Sequence, residues 1–144
     1  KEDIYETFMT GPEDSIELYH GYTYSGHPLA AAAGLATLTV YEEEGLFARA
    51  KSLAPILEEE LQTIKGCPYV IDIRNYGLLG AVELQPIEGK PTARAMSVFR
   101  QCFDNGLLVR TTGDTIALSP PLIASEDEIR TVVAKLKESL NSID

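Results

Sequence analysis

The sequence predicts an α+β fold, in which a small, mainly antiparallel sheet carries helices packed against it. Three observations support this. Leu46–Ile64 and Ile129–Ile143 repeat apolar residues at three- and four-residue steps, which makes single-faced helices. Val70–Leu84 and Leu107–Leu118 are apolar runs split by glycine-bearing turns, the pattern of antiparallel hairpins. The 144 residues, 44% hydrophobic and 24% charged, suffice for one packed core and are ordinary for a globular chain.

Each element follows in order. Residues 2–9 predict a short helix with Ile4, Tyr5 and Phe8 on one side, broken by Gly11-Pro12-Glu13-Asp14-Ser15. A helix is expected from Pro28 to about Glu44, because proline suits a first helical position. It is apolar nearly all round, through Ala30–Ala33, Leu35, Ala36, Leu38 and Val40, and a helix without a polar face implies an interface. Gly45 permits a bend. The next helix gathers Ala50, Leu53, Leu57, Leu61 and Ile64 on one face, leaves Glu58–Glu60 in water, and ends at Gly66 and Pro68.

Two strands are expected through Val70, Ile71 and Ile73 and then Leu78–Leu84, turning at Asn75-Tyr76-Gly77. Arg74 and Glu83 on this pair suit a structural ion pair. Thr92 is placed to cap a helix that buries Ala95, Met96, Phe99, Cys102 and Phe103, stopped by Asn105-Gly106. Leu107–Val109 predicts a strand running up to Arg110, Thr112-Gly113-Asp114 a turn, and Thr115–Leu118 the returning strand. Ser125 and Glu128 form a capping box for the last helix.

Charge narrows the function. Twelve basic against 22 acidic residues leave a net charge of −10, which argues against nucleic acid or an anionic membrane as partner. No apolar run reaches transmembrane length. Cys67 and Cys102 lack metal-ligand spacing and suit reduced thiols in a cytoplasmic protein. His20 and His27 are too few for a metal site.

Two places carry candidate chemistry. His20–Leu29 is a glycine-bracketed loop entering a helix, with hydroxyls on Thr23 and Ser25 and the free N–H groups of a first helical turn. That combination suits an anion cradle, although the same residues also read as a capped helix with a tight entry loop. Tyr22 and Tyr24 flank Thr23 and suit either a pocket wall or an interface. Arg110 ends an apolar strand beside a glycine turn, where a guanidinium can grip a carboxylate with two parallel hydrogen bonds. It equally suits a surface pair with Asp114.

The run HGYTYSGHPLAAAAGLATL from His20 to Leu38 resembles class III (omega) aminotransferases, pyridoxal-phosphate enzymes of fold type I. Tyr69–Leu84 and Gly106–Leu122 are similar to the carboxy-terminal part of the same family, so the resemblance spans nearly the whole chain. It implies that residues 1–27 are the tail of the large cofactor domain and a phosphate-contacting loop. Residues 28–66 would be connecting helices and 67–144 the small C-terminal α+β domain. Thr23 would bind the phosphate of the partner subunit's pyridoxal phosphate, with Tyr22 and Tyr24 at the cofactor, in a homodimer or tetramer. Arg110 matches the family's L-x-V-R-x-x-G-D arginine, which binds the substrate carboxylate and can swing aside.

The branch it most resembles moves an amino group from an omega-amino acid such as β-alanine to pyruvate, in a ping-pong reaction. A decarboxylating aminotransferase, an aminomutase and a non-enzymatic interaction module are the alternatives. Aminotransfer needs a lysine that holds the cofactor as a Schiff base. Lys1, Lys51, Lys65, Lys90, Lys135 and Lys137 all have polar or helical-surface settings, and none follows the family's lysine motif. With no initiator Met, the chain reads as part of a longer polypeptide that is inactive alone, so no catalytic residue is assigned to it.

Overall fold

The computed structural model describes residues 1–12, 17–18 and 20–143, and part of the break expected at Gly11–Ser15 lies outside them. The chain divides into two compact units, Lys1–Leu38 and Thr39–Asp144. The boundary therefore falls within a helix.

In the first unit, α1 (Glu2–Phe8) carries Ile4, Tyr5 and Phe8 on its surface, and none of its residues is buried. Helix α2 (Pro28–Glu43) starts at Pro28 as expected and also buries nothing within this chain. Leu29, Leu35 and Leu38 stay 76%, 68% and 57% exposed, so its apolar surface is unspent here.

The second unit holds the core. Gly45 takes φ +61° just before α3 (Leu46–Gln62), where Tyr41 and Phe47 meet edge to face at 5.1 Å. Helix α3 buries Leu46, Leu53, Leu57 and Leu61, followed by Ile64 just past its end. Pro55 sits inside this helix on its exposed side, where the carbonyl left without a helical N–H can bond water. Glu58 and Glu59 are solvated, but Glu60 is half-buried and pairs with Arg130 on α5 (Glu126–Asn141), correcting the wholly solvated face expected for these three.

The sheet is antiparallel throughout, in the order β1-β2-β4-β3. Strand β1 (Val70–Tyr76) and β2 (Leu79–Leu84) are joined by Gly77-Leu78. The turn thus lies two residues later than expected. Gly77 has φ +57°, and glycine at the first central position suits a II′ hairpin whose twist matches the strands. Gly80, Val82 and Leu84 of β2 face inward with Ile116 and Leu118 of β4 (Thr115–Leu118). Helices α3, α5 and α4 (Ala93–Asp104) pack around that inner face and share one hydrophobic cluster with it.

Helix α4 corrects two expectations. Thr92 does not cap it through its side chain: Thr92 has φ +68° and makes no side-chain cap bond. The buried face is Ala95, Val98 and Cys102, while Phe103, one residue past that stripe, is 63% exposed. The capping box of α5 forms as read, with the Ser125 hydroxyl accepting from the Glu128 N–H and the Glu128 carboxylate accepting from the Ser125 N–H. It holds Glu128 below the usual carboxylate range, first through the Ser125 backbone and then through its hydroxyl.

Candidate functional site

Strand β3 (Arg110–Thr112) begins where the sequence suggested a strand would end. Leu107 and Val109 are buried but lack a ladder partner. Continuing the register from Arg110↔Ala117 would set Val109 opposite Leu118, Leu108 opposite Ser119 and Leu107 opposite Pro120, and proline offers no N–H. Arg110 is therefore the first paired residue of an edge strand. Gly113 and Asp114 make the two-residue turn to β4, with Gly113 at φ +59°.

The register places Arg74, Ala81, Ala117 and Arg110 in one row across the outer sheet face. The row's two arginines differ sharply. Arg74 donates to Glu83 at 2.7 Å and Asp72 at 2.6 Å, and its pKa is raised by Glu83 first and Asp72 second. Arg110 is exposed, and its side chain has no hydrogen bond or ion pair among the described residues. The surface pair with Asp114 does not form. Asp114 instead accepts from the Thr92 N–H at 2.8 Å. In a chain of charge −10, a guanidinium bonded to no carboxylate is open to one from outside; Glu128, which shares a groove with Arg110, is held in the capping box of α5.

Arg110 also lines a groove of about 670 Å³ beside the sheet edge, walled by Leu108, Pro120, Ile123 and Val132. The groove's other cation, Lys135, is engaged with the Asn105 carbonyl at 2.8 Å.

The second place lies in the first unit. Two successive turns precede α2, closed by Ser25 N–H to Tyr22 C=O at 3.0 Å and His27 N–H to Tyr24 C=O at 3.2 Å. Gly26, at φ +77°, occupies the third position of the second turn, where a type II turn requires positive φ. Thr23 is central in the first turn, exposed, and its hydroxyl has no partner among the described residues. Tyr22 and Tyr24 are 69% and 83% exposed, with His20 edge to face on Tyr22 at 4.7 Å. The His27 carbonyl accepts from Ala31, starting the helix that Pro28 enters. The loop thus offers a free hydroxyl and the open N–H groups of a first helical turn. Among the described residues no His, Cys, Asp and Glu groups could hold a metal ion, and no helix is long and apolar enough to cross a membrane.

The aminotransferase class-III family model matches residues 1–140. The chain belongs to the class-III aminotransferase family. It is 52% identical over 141 residues to an omega-aminotransferase of Caulobacter vibrioides and 41% identical over 143 residues to a beta-alanine–pyruvate aminotransferase of Pseudomonas aeruginosa. Each alignment covers 98% of this chain and 32% of the relative, so the chain spans about a third of their length. A solved omega transaminase from Pseudomonas jessenii in complex with PMP superposes with a TM-score of 0.75 at 34% identity, covering 86% of this chain and 29% of that one. The α+β fold is that of this class-III neighbourhood.

Sequence reasoning on this class-III chain overlooked a cluster at the end of β2, near the Gly113-Asp114 turn. Arg94 lies over the Tyr69 ring, 3.4 Å from its centroid, and its Nε donates to the Gln85 carbonyl at 2.7 Å. Tyr69 and Thr92 both take positive φ, 62° and 68°, which no composition signal announces.

Proposed function

We propose that this chain is the small-domain part of a pyridoxal-phosphate-dependent aminotransferase that moves an amino group from an omega-amino acid, such as β-alanine, to pyruvate. The unpartnered Arg110 guanidinium is the observation that carries this reading, taken with the family membership. Its role is to bind and orient the carboxylate of the keto acid and, at its turn, of the amino-acid donor. The charge-assisted contact contributes roughly 1.5–3 kcal/mol, about 10- to 150-fold in selectivity for acids over neutral carbonyls.

Thr23 would hold the cofactor phosphate of a partner subunit, in a homodimer or a tetramer. The loop's chemistry fits the group, because its hydroxyl is unengaged and the N-terminal turn of α2 adds favourable dipole. Tyr22 and Tyr24 would stand against the cofactor or line its approach. Pyridoxal phosphate, when bound, supplies the electron sink and amino-group carrier that side chains lack. The lysine that takes up the proton would come from residues outside this sequence, so this chain alone would not transaminate. Free Cys67 and Cys102 fit a cytoplasmic setting.

The test uses the intact enzyme. Its visible cofactor band should shift on adding β-alanine and return with pyruvate. Arg110→Ala should lower kcat/KM for pyruvate about 10- to 150-fold relative to propanal, which has no carboxylate. An unchanged pyruvate-to-propanal ratio would refute the assignment of Arg110.

A further inference from the structure

Three chain segments meet at the turn that ends β3, and Asp114 ties them together. Its Oδ2 accepts from the N–H of Thr92, just before α4, and its main-chain carbonyl accepts from Leu84 N–H at the end of β2 at 2.9 Å. The next residue along, Gln85, receives Arg94 Nε through its carbonyl. Asp114 Oδ1 and Arg94 Nη1 are both buried with no hydrogen-bond partner among the described residues. Asp114 is also the second residue of the two-residue turn that leads back from β3.

This arrangement matters because β3 is short and has only one neighbour. Arg110–Thr112 pairs with β4 alone, and the approaching segment has no ladder. Val109, buried in the core, holds the start of β3, and the bond from Thr92 N–H to Asp114 holds its other end at the turn. The one side-chain hydrogen bond from β3 among the described residues is weak, the Thr111 hydroxyl to Met96 sulfur at 3.8 Å. Thr92 is held in a left-handed conformation unfavourable for a β-branched residue, and that conformation presents its N–H to Asp114.

We propose that Asp114 is a positioning residue for acceptor selectivity: by clamping the Gly113-Asp114 turn to Thr92 it fixes β3, and so the aim of Arg110. This rests on the carboxylate-binding role proposed for Arg110. Asp114 touches no substrate and acts only through the arginine.

The experiment compares kcat/KM for pyruvate and for propanal in the intact enzyme carrying Asp114→Ala, Asp114→Asn, Arg110→Ala, or both alanine changes. Asp114→Ala should lower the pyruvate-to-propanal ratio on the order of tenfold, less than Arg110→Ala does, as a misaimed contact costs less than a missing one. The loss should appear in KM for pyruvate rather than in kcat. Asp114→Asn retains an acceptor oxygen for the Thr92 N–H and should recover the ratio. In the Arg110→Ala background, Asp114→Ala should lower it no further. If Asp114→Ala does not accumulate, Asp114→Glu gives the same readout, since one added methylene displaces the carboxylate without removing its charge.

Equal loss with both acceptors would make Asp114 merely structural and overturn the proposal. So would equal impairment by Asp114→Ala and Asp114→Asn. A selective loss in Arg110→Ala with none in Asp114→Ala overturns the positioning role and spares the arginine. No selective loss in Arg110→Ala removes the reading on which the role rests.

Discussion

Gly80→Ala is a sharp test of how the sheet meets α3. A methyl carbon at Gly80 would stand 2.8 Å from Leu61 Cδ1 and 3.7 Å from Leu118 Cβ. Leu61 is fully buried and packed in the central cluster, so it cannot swing out of the way. Overpacking of this kind costs about 1–3 kcal/mol. Gly80 does not need positive φ, so alanine also gains about 0.4–1 kcal/mol by restricting the unfolded chain. The clash wins, and the net loss is roughly 1–2 kcal/mol. Leu61→Ala alone should cost about 2–5 kcal/mol through the cavity it opens. With Leu61 truncated, the added methyl enters that cavity, and Gly80→Ala becomes stabilising by about 1 kcal/mol. The double-mutant cycle therefore predicts a favourable coupling of roughly 2–3 kcal/mol. Urea unfolding of the four variants, followed by circular dichroism and tyrosine fluorescence with m values compared, measures it. Additive costs, or a neutral Gly80→Ala, would refute the close packing of β2 on Leu61.

Two further outcomes follow from the core and the caps. Ser125→Ala removes both bonds its hydroxyl makes in the capping box of α5 and should cost about 1 kcal/mol in a thermal or urea melt. Because Glu128 is held below its ordinary value, the box contributes stability above the unfolded glutamate pKa of about 4.3. That contribution fades as pH falls through the lowered folded value; Ser125→Ala loses only the hydroxyl's share of it, so its gap from wild type should narrow in acid without closing. A constant gap between them down to low pH would contradict this. Burial, with a smaller opposing bond to Ser139, pushes the Cys102 thiol up and keeps it protonated at neutral pH. Iodoacetamide followed by mass spectrometry should therefore modify the half-buried Cys67 first and reach Cys102 only as fast as the chain unfolds; equal rates would refute the burial argument.

Periodicity made the core legible. Leu53, Leu57 and Leu61, and likewise Ile129, Val133, Leu136 and Leu140, follow a period set by the helix itself, and all are buried. Short strands were harder to place. Leu107–Val109 has the right residues for a strand but no ladder: the register would put Pro120 opposite Leu107, and a strand needs its neighbour's N–H groups as well as its own. Leu78 read as the start of a strand because it is apolar, yet it occupies a turn and is only 7% exposed. Arg110 and Asp114 were both noticed, and their pairing was the plausible local guess. Thr92 settled the matter from 22 residues away, through a backbone conformation that the residue type gives no reason to expect. Distant bonds of this kind leave no local pattern.

Helix α2 buries none of its residues within this chain, and that changes what its stability means. A helix of this length with so little burial is marginal in water, even when rich in alanine. Any surface that covers Leu29, Leu35 and Leu38 would make docking and helix formation a single thermodynamic event. The order of this segment would then obey mass action, rising with the concentration of whatever covers it, while the cluster around Leu57 and Leu136 would keep a fixed unfolding free energy.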